Sequence, residues 1–439
     1  MTARIEAEGF PAEQVRARAR DGAARAFPPR EGYGTAVVGA GMSRPGSDGA
    51  QDALDALRLA PPVFMPRRLE KLIDLGREPL YNDVDTRTAI GGFHSPLPLY
   101  ISALGSTKVA GADLGESVAE QAGRLGLPLV IGENIVPVSG YGRLDGDSGR
   151  SMLTRVRRYC AGLPDGVGGV AVQQSTQDAD AEVWNLVYSD PGAARLLDSG
   201  RLAFELKVGQ GAKPGLGGMT VVGEGAAAAL GEQFALDPVF GGGELLRSAS
   251  PGTFTEDILR QQVRLMRNNF PRARVWVKLH PGRDVRHAAE VCWAAGADAV
   301  TVDGAEGGSG WAPTAFLDHV GLPLAACLLE LGPRSECLLA SGRMWEGARI
   351  VKTLALGARA AGLGRAAFLA ADEDRDGGLI RLVECIALEI KLLISALGKY
   401  ACADLDPRDL WPVPEFAAGP RTDEPARGGL EEYLYANQQ

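Results

Sequence analysis

The chain has 439 residues, of which 45% are hydrophobic, 23% are charged and 6% are aromatic. This composition is typical of a globular protein that can bury a sizeable core. Its 46 Lys and Arg residues are outnumbered by 55 Asp and Glu residues, which gives a formal net charge of -9. Because nucleic acids and anionic membranes attract basic surfaces, neither is expected as a partner.

The cysteines and histidines are too scattered for a disulfide framework or a zinc site. The six cysteines include no Cys-x-x-Cys pair, and the four histidines include no His-x-x-His spacing. We therefore predict a reducing, cytoplasmic location and no metal. No run of about 18 apolar residues occurs, and the N-terminus lacks the apolar core of a signal peptide, so neither membrane insertion nor secretion is predicted.

Residues 1–95 are predicted to form a helical and irregular extension that packs on the rest of the molecule. Residues 11–28 carry Val15 and Ala19 on one side and arginines on the other, which is typical of a short amphipathic helix. We interpret the arginine side as facing solvent. A second short helix is predicted over residues 51–60.

From about residue 98 the chain alternates short apolar runs with segments of helical period, the pattern of parallel strands joined by crossover helices. Eight such repeats in about 300 residues favour an α/β fold of the closed (β/α)8 type, a TIM barrel, over an open sheet. The predicted barrel spans residues 96–410, and a polar, Pro-rich tail follows over residues 411–439. The eight runs are Leu99–Leu104, Pro128–Glu133, Val170–Ser175, Leu202–Val208, Val275–His280, Ala299–Gly304, Leu338–Gly342 and Ala360–Gly364.

The segment after the fourth run combines positive charge with glycine. Lys207, Gln210 and Lys213 stand among several glycines. Active sites of such barrels lie at the carboxyl ends of the strands, and glycine lets backbone N–H groups approach a ligand. The two lysines therefore predict a site for an anion.

The fifth to eighth runs suggest a flat, phosphorylated cofactor. The sixth run leads into Asp303–Gly310, a loop with little bulk against which a flat ring could lie. The seventh and eighth runs end in Ser341–Arg343 and Gly364–Arg365, at the usual phosphate position of barrels, where arginine offers bidentate bonds. Lys278 is expected to point into the barrel mouth and to need an anionic partner, which a flavin could supply.

These segments together resemble the FMN-binding, glutamate-synthase-like barrel family over about residues 62–410. The resemblance implies a TIM barrel that holds FMN. It also implies a flavoprotein oxidoreductase of amino acid metabolism that moves a hydride between flavin and a small amino acid, imine or 2-oxo acid. The matching motifs are PRRLEKL (66–72), KVGQGAKPG (207–215), VKL (277–279), VDGAEGGSG (302–310), HVGLPL (319–324), LASGR (339–343) and EGARIVKTLALGARAAGLGRA (346–366).

The resemblance also implies roles for individual residues. Glu133 is the candidate general acid and base. A substrate carboxylate would be bound beside the flavin by Lys207, Gln210 and Lys213. The FMN phosphate would lie at Gly342, Arg343, Gly364 and Arg365. The remainder of the cofactor would lie near Ser102, Ala103, Gln174, Lys278, Asp303, Gly304, Glu306, Gly307, Gly308 and Ser341.

The chain departs from glutamate synthases in three respects. No cysteine cluster for an iron-sulfur centre follows the eighth run, where Cys385 stands alone, and no glutaminase domain is expected before the barrel. The first- and second-strand motifs are altered at Ser102–Thr107 and Ile131–Ile135, which suggests a substrate other than 2-oxoglutarate. Three alternatives stay open: an FMN-dependent oxidase, a rearrangement without net redox change, and a subunit that receives ammonia and electrons from other chains. A separate electron donor and a homo-oligomer are further hypotheses.

Overall fold

The computed structural model describes residues 4–35, 52–103, 113–132, 152–175, 181–213, 220–223, 227, 231, 235–247, 254–309 and 311–414. Its centre is a closed barrel of eight parallel strands, which confirms the predicted TIM-barrel fold. Apart from a few residues at their ends, these strands coincide with the eight predicted runs. They are β1 Leu99–Ile101, β2 Leu129–Ile131, β3 Val170–Ser175, β4 Leu202–Lys207, β5 Arg274–Leu279, β6 Ala299–Asp303, β7 Leu338–Ser341 and β8 Ala360–Leu363.

The strands follow chain order around the barrel, and β8 closes on β1. In the register between β4 and β5, Lys207 lies opposite Lys278. In the register between β6 and β7, Asp303 lies opposite Ser341. All four residues stand at or near the carboxyl ends of their strands, so the pairing brings them to one mouth of the barrel.

Helices cover the outside of the barrel and pack against its strands through buried apolar side chains. One barrel helix follows each strand: α1 Asp113–Leu125, α2 Met152–Ala161, α3 Ala181–Ser189, α4 Glu256–Asn269, α5 Val285–Ala295, α6 Leu324–Leu331, α7 Gly347–Ala355 and α8 Arg365–Glu373. The remaining α-helices are Ala12–Asp21, Ala53–Ala56, Pro66–Leu75, Ala194–Asp198, Thr314–His319 and Gly378–Ala396.

Local sequence signals set the ends of these helices. The Thr255 side chain accepts a hydrogen bond from the backbone N–H of Ile258 and so caps α4. Two acidic residues in the first turn interact favourably with the positive end of the helix dipole. Helix α5 ends at Gly296, whose φ of 107° is a conformation that residues with a side chain rarely adopt.

The N-terminal helix Ala12–Asp21 packs against α8 and the long helix Gly378–Ala396. Arg16 is buried and forms an ion pair with Asp372 at 2.8 Å, and Arg18 forms one with Glu389 at 2.7 Å. The interpretation of the arginine side as solvent-facing is therefore wrong for these two residues. Their partners stand more than 350 positions away in the sequence, so helical periodicity could not reveal them.

A hairpin covers the amino-terminal end of the barrel. Its strands, Thr88–Ile90 and Phe93–Ser95, pair in antiparallel fashion. The ring of Phe93 lies 5.1 Å from that of Trp276 on β5, and the indole N–H of Trp276 donates to the Gly91 carbonyl at 3.0 Å. The hairpin therefore closes this end with apolar contacts and one buried hydrogen bond.

Two small sheets lie outside the barrel. After β4, the strands Thr220–Gly223, Leu236–Asp237 and Glu244–Arg247 form an antiparallel sheet. Near the end of the described chain, Leu410–Trp411 pairs with Arg58–Leu59 of the N-terminal extension. Within the described ranges, every helix is too short or too polar to cross a lipid bilayer.

Candidate active site

The loop after β4 is held against the loop after β6. The Lys207 ammonium donates to the side-chain oxygen of Gln210 at 3.0 Å, and the Gln210 amide donates to the Ser309 hydroxyl at 3.1 Å. A Cβ atom on Gly211 would lie 2.6 Å from the Gly308 carbonyl oxygen, so this approach requires glycine. The two loops predicted to bind substrate and cofactor thus meet in one place.

Both predicted substrate lysines are buried in this loop. Gln210 and Lys213 exchange backbone N–H to carbonyl bonds of 3.1 and 2.8 Å, which fold residues 207–213 into a tight turn. Lys207 is 7% exposed and Lys213 is 6% exposed. Two buried ammonium groups within one turn concentrate positive charge at this end of the barrel, which favours the binding of an anion.

Lys278 lies in the barrel mouth, as predicted, but a protein carboxylate neutralises it. Its ammonium group lies 2.9 Å from an Asp303 carboxylate oxygen, and both side chains are buried. The Ser341 hydroxyl donates to Asp303, and the Gly211 backbone N–H donates to it at 3.3 Å. Asp303 therefore joins Lys278 to the loop after β4 and to the last residue of β7.

Arg343 directs its side chain away from the position predicted for the phosphate. Its guanidinium donates to Asp55 at 2.5 Å and lies 3.5 Å from Asp52. Among the described residues, Arg343 is the non-glycine residue with positive φ, at 53°. Such a strained backbone persists only where its surroundings impose it, and the ion pairs with the N-terminal extension do so here. The guanidinium of Arg343 is therefore bound to the N-terminal extension.

Arg365 remains as the cation at the predicted phosphate end. Its guanidinium donates to the backbone carbonyl of Glu306 and lies over the Phe10 ring at 4.6 Å. Burial and, to a smaller extent, the charge of Arg343 lower the pKa of Arg365 to about 10. The position beside it is open, since an added Cβ atom on Gly364 would meet nothing nearer than Ser102, at 4.0 Å. A bound anion here would relieve the unfavourable burial of the arginine.

Glu306 has a structural partner that was not predicted. Its carboxylate accepts the backbone N–H of Leu324 at 2.9 Å, at the first residue of α6. Burial and, to a smaller extent, the charge of Asp52 raise the pKa of Glu306 to about 7. The side chain therefore caps a helix, and only its backbone carbonyl reaches Arg365.

The other predicted cofactor residues lie mostly on backbone at the barrel mouth. Gly304 donates to the Ser341 carbonyl at 2.8 Å, and Gly307 donates back to Gly304 at 2.9 Å. Gly308 and Gly342 adopt positive φ values of 63° and 141°. These residues therefore form a surface with almost no side chains between β6 and β7.

Strand β1 ends at the same mouth. Ser102 is buried, its backbone N–H donates to the Leu363 carbonyl of β8 at 3.0 Å, and Ala103 follows it, packed against the barrel interior. Gln174 is also buried and lies opposite Leu206 of β4. Because successive side chains of a strand point to opposite faces, Gln174 faces the other side of the sheet from Gln173.

Gln173 and Glu205 are interior residues that the sequence analysis missed. The Gln173 amide donates to one oxygen of Glu205, and the Thr301 hydroxyl donates to the other at 3.1 Å. Glu205 is 1% exposed. Strand alternation counted back from Lys207 could have identified Glu205 as an interior residue, since the two stand two positions apart on β4.

Some predicted features lie outside the described residues. These are residues 104–107 of the altered first-strand motif, residues 133–135 of the altered second-strand motif, which include Glu133, the glycines at 215, 217 and 218, and Gly310. The six cysteines are all described, and all are free thiols. In the described part of the chain, no three His, Cys, Asp or Glu side chains converge as a metal site would require.

Comparison with protein families gives one family model that matches the chain. It describes a conserved region in glutamate synthase and matches residues 138–373, slightly more than half of the chain. Archaeal glutamate synthase (NADPH) of Methanocaldococcus jannaschii is 34% identical over 177 residues, which are 38% of this chain and 34% of that protein. Archaeal-type glutamate synthase (NADPH) of Thermotoga maritima is 28% identical over 302 residues, 66% of this chain and 56% of that protein. The matches thus span between about a third and just over half of these relatives' lengths.

Solved structures share the fold at low identity. A flavocytochrome b2 variant with pyruvate bound has a TM-score of 0.54 and 17% identity, with 85% of each chain covered. A mandelate oxidase variant with a monooxide FMN adduct has a TM-score of 0.51 and 18% identity, with 81% of this chain and 88% of that chain covered. These likenesses concern the barrel alone. Because the family model matches more than half of the chain, the chain belongs to the family defined by the conserved region of glutamate synthase.

Proposed function

We propose that this chain is an FMN-dependent oxidoreductase that moves a hydride between flavin and a carbon atom of a small amino acid, imine or 2-oxo acid. The observation that carries the proposal is one barrel mouth that contains three buried lysines, Lys207, Lys213 and Lys278, of which Lys278 pairs with Asp303. The family membership and the glutamate synthases among the relatives support the reaction class.

The phosphate end of the site fits FMN. Arg365 is a buried cation whose pKa is lowered by burial, and the backbone beside it at Gly364 is open. We assign the phosphate to Arg365 together with the backbone of Gly342, Arg343 and Gly364. The side chain of Arg343 is not included, because it forms ion pairs with Asp52 and Asp55. Arg343 would therefore contribute its backbone to the phosphate site, and not its guanidinium as the sequence suggested.

FMN, when bound, supplies hydride transfer. The glycine-rich surface at Gly304, Gly307 and Gly308 lets a flat ring approach the backbone, and Ser102, Ala103 and Ser341 border the same mouth. Lys278 holds a positive charge there, and Asp303 fixes its position at 2.9 Å. A fixed positive charge stabilises negative charge that develops nearby, which is the role we assign to Lys278.

Substrate recognition is assigned to the turn after β4. Lys207 and Lys213 would bind the carboxylate, and Gln210, held between Lys207 and Ser309, would orient it. Charge-assisted bonds from two buried ammonium groups provide both affinity and direction. Glu133 stays our candidate for the proton transfer. The free state of all six cysteines supports a cytoplasmic location, and a separate electron donor stays a hypothesis.

An anaerobic titration of the purified protein with candidate amino acids tests this function. We expect at least one amino acid to bleach the flavin absorbance, and Lys207→Met to need a higher concentration of it. Oxygen consumption after air is admitted would instead favour the oxidase alternative. A flavin that no amino acid or 2-oxo acid affects, in either redox state, would contradict the proposal.

A further inference from the structure

Glu205 lies inside the barrel, below the mouth and out of reach of solvent. It stands on β4, two residues before Lys207, and is 1% exposed. Both of its oxygens accept hydrogen bonds, one from Gln173 on β3 and one from Thr301 on β6. A carboxylate in such a place is costly unless it carries a proton or is matched by a positive charge.

Polar side chains lie between Glu205 and the Lys278–Asp303 pair. The Tyr100 hydroxyl donates to the Ala340 carbonyl at 3.4 Å and lies near the hydroxyls of Thr301 and Ser341. Thr301 donates to Glu205, and Ser341 donates to Asp303. Tyr100 is buried and itself has a pKa raised by burial, so it stays a neutral link between the two acids. The barrel interior thus contains several polar side chains between the buried acid and the mouth.

We propose that Glu205 is a proton-holding positioning residue, whose charge state is coupled through space to Lys278. Glu205 does not contact the site predicted for substrate or cofactor, and it acts by setting the charge that surrounds Lys278. When Glu205 holds its proton, the Lys278–Asp303 pair is balanced. When Glu205 releases it, the interior gains a second negative charge.

The charges around Glu205 determine which form is favoured. Lys278 on β5 favours ionisation, and Asp303 on β6 opposes it. Lys207 stands further along the same strand, and Tyr100 on β1 is neutral. Burial is the largest influence and raises the pKa of Glu205. Any change that removes positive charge from Lys278 should therefore keep the proton on Glu205 to higher pH.

Infrared spectroscopy of the carboxylic acid carbonyl tests this without reference to activity. We expect the purified protein to show an acid carbonyl band that persists to pH values where exposed glutamic acids have ionised, and Glu205→Gln to lose it. Lys278→Met should shift the titration of this band to higher pH. Because Lys278→Met leaves Asp303 without its partner and could unfold the protein, Thr301→Val provides a second test, since it removes one hydrogen bond that favours the ionised form.

Glu346→Gln is the matched control. Glu346 is another largely buried acid whose pKa is raised by burial. It precedes the first residue of α7 and faces Arg18 of the N-terminal helix, not the barrel interior. Its replacement should leave the Glu205 band and that band's response to Lys278→Met unchanged. A spectrum of Glu205→Gln identical to that of the unaltered protein would overturn the proposal. A band whose titration pH is unchanged in both Lys278→Met and Thr301→Val would also overturn it.

One consequence rests on the proposed function. If flavin is bound near Lys278, its midpoint potential should depend less on pH in Glu205→Gln than in the unaltered protein, with Glu346→Gln unchanged. Absence of flavin would end the proposed function, yet the infrared comparison would still decide the state of Glu205. Bound flavin with an unchanged pH dependence in Glu205→Gln would instead contradict the coupling.

Discussion

The two ends of the barrel interior have opposite chemistry. At the amino-terminal end, Trp276 and Leu339 pack among alanines and against Phe93 of the hairpin 88–95. At the carboxyl-terminal end, the interior contains Glu205, Lys207, Asp303 and Lys278, all buried. Both ends consist of the same eight strands, so the difference comes from side chains alone.

This contrast separates stability from function within one set of strands. Burial of apolar surface stabilises the folded chain, whereas burial of charges costs free energy that their pairing only partly offsets. A charged interior is therefore expected where a ligand or a reaction needs it, and perturbed titratable groups concentrate at such places. Substitutions at the amino-terminal end should mainly change stability, and those at the mouth should mainly change ligand binding.

Trp276→Ala should have the largest effect. It removes a fully buried ring and its hydrogen bond to Gly91, so we expect the free energy of unfolding to fall by about 3 to 5 kcal/mol. Denaturant titration measures this, with Trp311→Ala as the control because Trp311 is 41% exposed. An equal loss in both variants would contradict the sealed apolar end.

Glu306→Gln should change how stability depends on pH. The folded pKa of about 7 lies above the ordinary value of 4.5, so this carboxyl favours the folded state fully below its unfolded pKa, and that contribution is lost as pH rises through about 7. The shift corresponds to on the order of 3 kcal/mol. Between about pH 4 and about pH 8, the unaltered protein should lose stability relative to Glu306→Gln by that order.

A pH-independent difference between the two proteins would show that Glu306 ionises normally. Glutamine retains an oxygen that can cap α6 at Leu324, so the comparison isolates the charge from the hydrogen bond.

Lys207→Met should weaken substrate binding and leave cofactor binding intact. Loss of one charge-assisted hydrogen bond corresponds to about 1.5 to 3 kcal/mol, or about ten-fold or more in affinity. The paired variant Arg365→Met should instead lower the flavin content, because we assign Arg365 to the phosphate. If Lys207→Met loses flavin while Arg365→Met retains it, the two anion sites have been exchanged in our assignment.

Cys337→Ala should have the smallest effect. The Cys337 sulfur accepts the backbone N–H of Gly91 at 3.2 Å, at the apolar end of the barrel. Loss of this bond should cost about 1 kcal/mol of unfolding free energy. Flavin content and substrate affinity should not change, and a loss of either would show that the two ends are not independent.

The fold could be predicted because it depends on local signals. Eight apolar runs, each with the length of a strand and each followed by a helical segment, are the pattern of a closed (β/α)8 barrel, and they fit within about 300 residues. The residues at strand ends, such as Lys207 and Lys278, could also be assigned to the mouth, since parallel strands end on the same side.

The partners of the site residues could not be predicted, because they come from distant parts of the chain. Arg343 carries the expected charge, but Asp52 and Asp55, almost 300 positions earlier, turn its guanidinium away from the mouth. Glu306 was expected to face the cofactor, whereas the free N–H at the start of α6 attracts its carboxylate. Strand position fixes where a backbone lies, and tertiary contacts decide what the side chain binds.

The flavin content of the purified protein tests the central claim most directly. The protein should be denatured and the released cofactor identified and quantified against the chain. Our account predicts FMN at about one per chain, held at the Arg365 end of the barrel mouth. Release of no flavin, or of FAD in place of FMN, would contradict it.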